Sequence, residues 1–321
     1  MNNQVLEKLW CEIVYEPPSH YVYRRIDTIC FSEMNVGLNQ KINRCLILEL
    51  PKVHTVDFQS INRMNLALYF FKDTNCIVLE LLDKNFNDLF NDLTLSLYQI
   101  IKDIRDVSEY SAIFIQTFHK WSEFFIDKKV DRLSDEVIKG LFGELHILKS
   151  LAKASPSWKI NDTLKSWQGP YDKGHDFIFE DKNIEVKTKN LTGQTIRISS
   201  EYQLEQELGK ELELVVISVV LDPVNGASLR ELAELIKVLV ITRMGDVTIL
   251  IDALNQKNLT FKNMHEYDNY RYVIVKEDVY DPTMIDFPKL IKSKLPDSIN
   301  GVKYNLNLSF LDTFLIKTGC Q

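Results

Sequence analysis

Residues 174–189 read Gly-His-Asp-Phe-Ile-Phe-Glu-Asp-Lys-Asn-Ile-Glu-Val-Lys-Thr-Lys, and this stretch constrains the fold more than any other. Side chains alternate between the two faces of a strand, so a polar tetrad flanked by alternating segments predicts a β-hairpin. If Phe179 and Ile184 close the hairpin over Glu180-Asp181-Lys182-Asn183, partner numbers sum to 363. Asp176 then stands opposite Lys187, and Ile178 opposite Glu185. Phe177, Phe179, Ile184 and Val186 fall on one face, which must bury against a core. Asp176, Glu185 and Lys187 gather on the other. A turn of odd length would destroy this agreement. Two carboxylates can hold a hard divalent cation through oxygen, and a neighbouring ammonium can stabilise charge on a phosphate or on an attacking water.

With 321 residues the chain has room for two domains of about 150 residues each. Its formal charge of −7 is opposite in sign to the basic footprint that phosphate binding usually needs. Locally the balance reverses: between Asp181 and Ser199, Lys182, Lys187, Lys189 and Arg197 stand against Asp181 and Glu185, and a bound metal ion would add positive charge there. Cys11, Cys30, Cys45, Cys76 and Cys320 are odd in number, scattered, and without a Cys-x-x-Cys pair. That pattern argues for reduced thiols in a cytoplasm and against a zinc cluster. Glu7 and Lys8 interrupt the apolar stretch that a signal peptide requires, so secretion is not expected. The runs Leu214 to Leu221 and Val238 to Ile241 fall well short of the roughly 18 apolar residues of a membrane span, so no membrane partner is expected.

The first 105 residues read as a small α+β domain. Strand patterns cover Cys45 to Leu50, Leu66 to Phe71 and Cys76 to Leu82, with Lys72-Asp73-Thr74-Asn75 as a hairpin turn, and a helix runs from Asn87 to about Arg105. A second helical stretch, about Glu109 to Ile126, carries Phe114, Phe118, Trp121 and Phe125 as a core-facing stripe. Residues 106–321 are assigned to a second domain. Asp131 to Asp135 is a charged link, and Ser134 is suited to cap a helix reaching about Lys153, with Asp135 and Glu136 at its positive end.

On that helix Glu144 falls between Gly140, Leu141, Ile147 and Leu148, with Val137 and Leu151 on the same stripe. A carboxylate on an apolar stripe is costly unless paired or bound to metal. Either a buried Lys or Arg accompanies it, or the stripe opens locally onto a polar cleft. Beyond it, Trp158 to Trp167 reads as a short strand, Gln168-Gly169-Pro170 as a turn, Gln194 to Ile198 as a strand, and Ser199 to Gln203 as the start of a helix. Leu212 to Leu221 has the composition of a buried strand and Leu229 to Thr242 that of an amphipathic helix. Further candidate strands are Val247 to Ile251, Tyr270 to Val275 and Val302 to Phe310. No phosphate-cradling Gly-x-x-x-x-Gly-Lys loop, Gly-x-Ser-x-Gly elbow or His-Glu-x-x-His helix occurs, so nucleotide hydrolysis, serine hydrolysis and zinc proteolysis lack support.

The order of helix, strands, helix and strand, with Glu144, Asp176 and Glu185-Val186-Lys187 in sequence, resembles the PD-(D/E)XK nuclease superfamily. More narrowly, Gly140-Leu-Phe-Gly-Glu-Leu, the Trp167-Gln-Gly-Pro turn, His175-Asp-Phe and Glu185-Val-Lys-Thr-Lys resemble a bacterial family of PD-(D/E)XK proteins encoded in restriction and phage-defence gene clusters. The resemblance implies an α/β, restriction-endonuclease-like core of helix, three-stranded meander, helix and strand, following the N-terminal α+β domain. It departs from the motif where His175 replaces proline before Asp176, and His175 itself reads as a loop histidine.

By that resemblance the protein would be a metal-dependent DNA endonuclease, or alternatively a non-catalytic DNA-binding or assembly subunit that keeps the nuclease fold. Asp176, Glu185 and the main-chain carbonyl of Val186 would ligate Mg²⁺, with Mn²⁺ as a substitute. Glu144 would orient a ligand water or help hold a second ion, and Lys187 would stabilise the developing charge or the nucleophile. In-line attack would leave a 5′-phosphate and a 3′-hydroxyl. Lys189 shares the face of Lys187 and either contacts the phosphate backbone or is a solvated lysine. Gln203 either assists near the site or completes a capping box with Ser200. The implied partners are DNA and other subunits of a defence or restriction complex. Two-fold cleavage would call for a homodimer.

Overall fold

The computed structural model describes residues 1–54, 56, 58, 60–126 and 132–320. They form two compact units, Met1–Lys129 and Val130–Gln321. Asp131, the first residue of the expected charged link, lies outside the described residues. Among the described residues no helix is long and apolar enough to cross a membrane.

The first unit is α+β. Its six-stranded antiparallel sheet runs in the order β1 (Tyr21–Arg25), β2 (Glu33–Asn39), β3 (Arg44–Glu49), β6 (Cys76–Leu81), β5 (Leu66–Phe71) and β4 (Ile61–Asn62). The helices are α1 (Asn3–Cys11), α2 (Asn87–Ile101) and α3 (Val107–Ser122). The boundary falls at 129/130 rather than at 105/106 because α3 belongs to this unit. Phe114, Phe118, Trp121 and Phe125 are all buried, the Phe125 ring lies 5.6 Å from that of Phe86, and the carbonyl of Phe125 accepts from Asn65 Nδ2 at 2.8 Å. Detaching α3 would expose this aromatic face.

The second unit is mixed α/β. Helix α4 (Asp135–Ala154) starts at Ser134, whose Oγ accepts from the Val137 N–H at 3.4 Å. The main sheet orders its strands β13 (Leu315–Cys320), β11 (Tyr272–Tyr280), β10 (Glu211–Leu221), β8 (Lys182–Asn190) and β7 (Phe177–Ile178). Strands β8 and β10 are parallel, with Glu185 beside Leu214 and Lys187 beside Val216. Helix α6 (Leu229–Thr242) begins with a Ser228–Glu231 capping box.

The 177–184 hairpin forms with a tighter turn than expected. Phe177 pairs with Ile184 and Ile178 with Asn183, and the Phe179 N–H donates to the Lys182 carbonyl at 2.8 Å, leaving Glu180-Asp181 as a two-residue loop, the favoured hairpin length. Lys182 and Asn183 are drawn into β8 because they have partners there. Lys182 pairs with Glu213 at 3.2 Å, and Asn183 lies beside Leu212. Continuing the register sets Asp176 opposite Glu185 rather than Lys187. The shift is by two positions, so every side chain keeps its face.

Three expected elements take other forms. Residues 158–167 hold helix α5 (Ile160–Ser166) in place of a strand, with Ile160 and Leu164 buried one helical turn apart. Residues 247–251 open helix α7 (Val247–Gln256), capped by Asp246 and burying Val247, Leu250, Ile251 and Leu254 at helical spacing. Short apolar runs fit either element, and the cap decides here. The helix expected from Ser199 is a series of turns, because the Gln203 side-chain Oε1 is taken by the Ser199 N–H at 2.7 Å and the buried Glu201 carboxylate accepts from the Gly301 and Val302 N–H groups at 3.0 and 2.9 Å.

The meander also loses its third strand. Strand β9 (Thr195–Ile198) leaves the main sheet and pairs antiparallel with β12 (Tyr304–Asn307). Its Ile196 and Ile198, with Leu306, pack onto Leu214 and Val216. Helix α4 covers the opposite face of the main sheet, over Thr188 and Ile217.

Candidate active site

The site is assembled at the β7 edge of the main sheet, and two glycines set its dimensions. A Cβ on Gly143 would lie 3.2 Å from Thr188 Cβ and closer still to Thr188 Oγ1, so only glycine lets α4 approach β8 this closely. The next residue is Glu144, and its Oε2 accepts from Trp167 Nε1 at 2.8 Å. A Cβ on Gly169 would lie 2.9 Å from Asp176 Oδ1 and nearer to Glu144 Oε2. The two carboxylates therefore flank the same bare point of backbone. That backbone is fixed in turn, because the Gln168 and Gly169 N–H groups both donate to the Asp176 carbonyl, at 2.7 and 3.0 Å.

Asp176 Oδ2 accepts from the Val186 N–H at 2.8 Å. A strand residue presents its N–H and C=O to the same edge, so the Val186 carbonyl faces the edge where Asp176 lies. On the next positions of β8, Lys187 Nζ sits 2.7 Å from Glu185 Oε1 and donates to Gln203 Oε1 at 3.0 Å. Glu185 is 1 % exposed, and neither of its carboxylate oxygens has a hydrogen-bond donor. The contact with Lys187 is an ion pair without hydrogen-bond alignment.

Crowding of acids in a dry place shapes the electrostatics. Burial, and then the Asp176 carboxylate, push the Glu144 carboxyl up to about 8 against the Trp167 hydrogen bond. Burial likewise raises Asp176, outweighing the opposing Lys187 ammonium and Val186 N–H. Glu185 stands well above the usual carboxylate range, through burial first and Asp176 second. For Lys187 burial disfavours the ammonium, yet the Glu185 and Asp176 carboxylates outweigh it and hold its pKa above the ordinary lysine value.

Among the described residues no three His, Cys, Asp or Glu side chains are arranged to hold one ion. A two-carboxylate set completed by a main-chain carbonyl is a different arrangement, and the chemistry of Asp176, Glu185 and Val186 fits it. Buried carboxylates that outnumber the cation beside them are expensive, and a hard divalent cation is a partner they suit. Glu144, turned to Trp167, stands beside Asp176 rather than in that set.

The remaining expected residues divide. Gln203 is beside the site, bonded to Lys187, and makes no capping box. Lys189 is not: its Nζ donates to the Leu191 carbonyl at 3.4 Å, and its charged neighbours are Asp278 and Lys276. His175 lies in the bend before β7. It is buried, 3.3 Å from Asn183 Nδ2, and burial lowers its pKa. Sequence reasoning missed Trp167 as the partner of Glu144, although its motif marked the turn. It also missed Lys257, which ends α7, pairs with Asp172 and favours the ionised forms of Glu144 and Asp176. No local pattern announces a lysine whose ion-pair partner, Asp172, stands 85 residues earlier.

A mixed α/β unit with Glu-x-Lys on an inner strand, an acid directly before the preceding strand and another on helix α4 has the features of the PD-(D/E)XK class. The family model described as "Putative PD-(D/E)XK family member (DUF4420)" matches residues 6–309, and the chain belongs to that family. No curated protein and no solved structure matches it significantly.

Proposed function

We propose that the protein is a metal-dependent DNA endonuclease that hydrolyses phosphodiester bonds, acting in the cytoplasm as part of a bacterial restriction or phage-defence system. The observation that carries this reading is the crowding of the buried Glu185 carboxylate with those of Asp176 and Glu144, with the Lys187 ammonium 2.7 Å from Glu185 Oε1 as its one cationic contact among the described residues. Asp176, Glu185 and the Val186 carbonyl would hold Mg²⁺ or Mn²⁺, which when bound polarises a phosphate oxygen and acidifies a water. Lys187, charged and tethered by Gln203, is placed to stabilise negative charge on the phosphate or on the attacking oxygen. Glu144, with a carboxyl near neutrality, can take or hold a proton of that water.

The test is cleavage of plasmid and linear DNA with Mg²⁺ or Mn²⁺ by the wild type and Lys187→Ala, alongside calorimetric metal titration. The proposal expects cleavage by the wild type, its loss in Lys187→Ala with metal binding retained, and loss of both in Asp176→Ala and Glu185→Ala. Metal binding without cleavage of any DNA would point instead to the non-catalytic subunit. Absence of both would overturn the reading.

A further inference from the structure

We infer that the outer face of the β9–β12 ribbon reads base edges in duplex DNA; the inference rests on the DNA-directed reading of the adjacent site. The ribbon is two-sided. Ile196, Ile198 and Leu306 face inward and are buried, and half-buried Tyr304 packs with them while its hydroxyl accepts from the Leu290 N–H at 3.2 Å. Alternation then turns Thr195, Arg197, Asn305 and Asn307 outward. The register sets Arg197 beside Asn305 and Thr195 beside Asn307.

These four side chains include a cation and no acid, in a chain of charge −7. Lys303, exposed and one residue before β12, adds a second cation. In the same unit Arg230 and Arg271 are held by carboxylates and Arg243 by main-chain carbonyls. Arg197 and Lys303 make no hydrogen bond or ion pair among the described residues. An arginine kept outward and unpaired beside an asparagine matches the donor and acceptor sets of guanine O6/N7 and adenine N6/N7. Two strands about 4.8 Å apart enter a major groove of about 12 Å.

Position joins the ribbon to the site. Ser199, directly after β9, donates its N–H to Gln203 Oε1, and the same oxygen accepts from Lys187 Nζ. The Ser199 end of the ribbon therefore stands two hydrogen bonds from the lysine proposed to act on the phosphate.

The test uses the full chain carrying Lys187→Ala, so that cleavage does not intervene, with Mg²⁺ and a fluorescein-labelled pool of duplex DNA of randomised sequence. Binding is read by anisotropy and the bound fraction is sequenced. Adding Arg197→Ala or Asn305→Ala should weaken binding to the enriched sequence by about 5- to 150-fold, the value of one bidentate contact, and erase the preference at the contacted base. Arg197→Lys should keep the salt dependence and lose the preference. Both positions are exposed, so the melting temperature should not move. If the ribbon variants bind with the parent's affinity and preference while the wild type cleaves DNA, the ribbon assignment is wrong and the nuclease reading stands. Preference for duplex RNA would also overturn it. No DNA binding together with no cleavage would remove both.

Discussion

The raised carboxyl of Glu144 makes the metal-free protein lose stability as pH rises, in a direction opposite to ordinary acid denaturation. Its folded value is about 8, against 4.5 for the free side chain. Between these values the folded state binds the extra proton, so stability is greatest at low pH and declines toward pH 8. At pH 5 this differential protonation favours the folded state by about 4 kcal/mol, and by pH 8 nearly all of that is gone. For a unit of this size that corresponds to a drop of about 7 to 14 °C in melting temperature. Glu144→Gln keeps an acceptor for Trp167 Nε1 and removes the titration. Scanning calorimetry in EDTA from pH 5 to 8 should therefore show the wild-type unit falling relative to the variant. His175, whose lowered pKa contributes in the opposite sense, cancels in the comparison. A variant with the wild-type slope, or a wild type more stable at pH 8 than at pH 5 relative to it, would refute the placement of Glu144 in a desolvated acid cluster.

Two further outcomes follow from the glycines. Gly169→Ala forces a methyl between Glu144 and Asp176, so metal affinity by calorimetry and DNA cleavage should both fall, with a stability loss of about 1–3 kcal/mol by denaturant titration; unchanged metal affinity would contradict the close approach. Gly143→Ala should cost a similar about 1–3 kcal/mol through Thr188, and Thr188→Ala in the same chain should recover much of it, since it removes the obstructing hydroxyl. Additive losses in that cycle would place the clash elsewhere.

How much of this was legible before the fold was known depends on the range of each interaction. Helices α4 and α6 have long periodic patterns, α4 has Ser134 as a cap, and β10 is marked by its apolar β-branched run, so local physics determines them. The 247–251 run is ambiguous because four apolar residues around Thr248 fit a strand or a helix, and the deciding feature is the cap at Asp246. Ser200-x-x-Gln203 was misleading for a different reason. The pattern suits a capping box, but Gln203 is engaged by Ser199 and Lys187, and Glu201 by a segment 100 residues later. Neither contact leaves a local trace. Lys257 and the departure of β9 to pair with β12 belong to the same category of long-range pairing.

The acid cluster itself survived an error in register, and the reason is physical. Moving from a four-residue to a two-residue turn changes the partner of Asp176 from Lys187 to Glu185, yet strand faces repeat every two residues, so the polar set stays on one side. The observed register also makes better sense of the chemistry. With Glu185 as its cross-strand neighbour, Asp176 acts electrostatically on a second carboxylate, and the Val186 N–H fixes the Asp176 oxygen Oδ2. Like charges so placed raise each other's pKa and create the need for a cation, whereas the expected Asp176–Lys187 pairing would have neutralised the aspartate and weakened its claim on metal. Lys187 is instead displaced one step along the strand, where Gln203 holds it beside Glu185. The arrangement that costs the empty protein stability at high pH is thus the same one that leaves two carboxylates for a divalent ion and one ammonium for the phosphate.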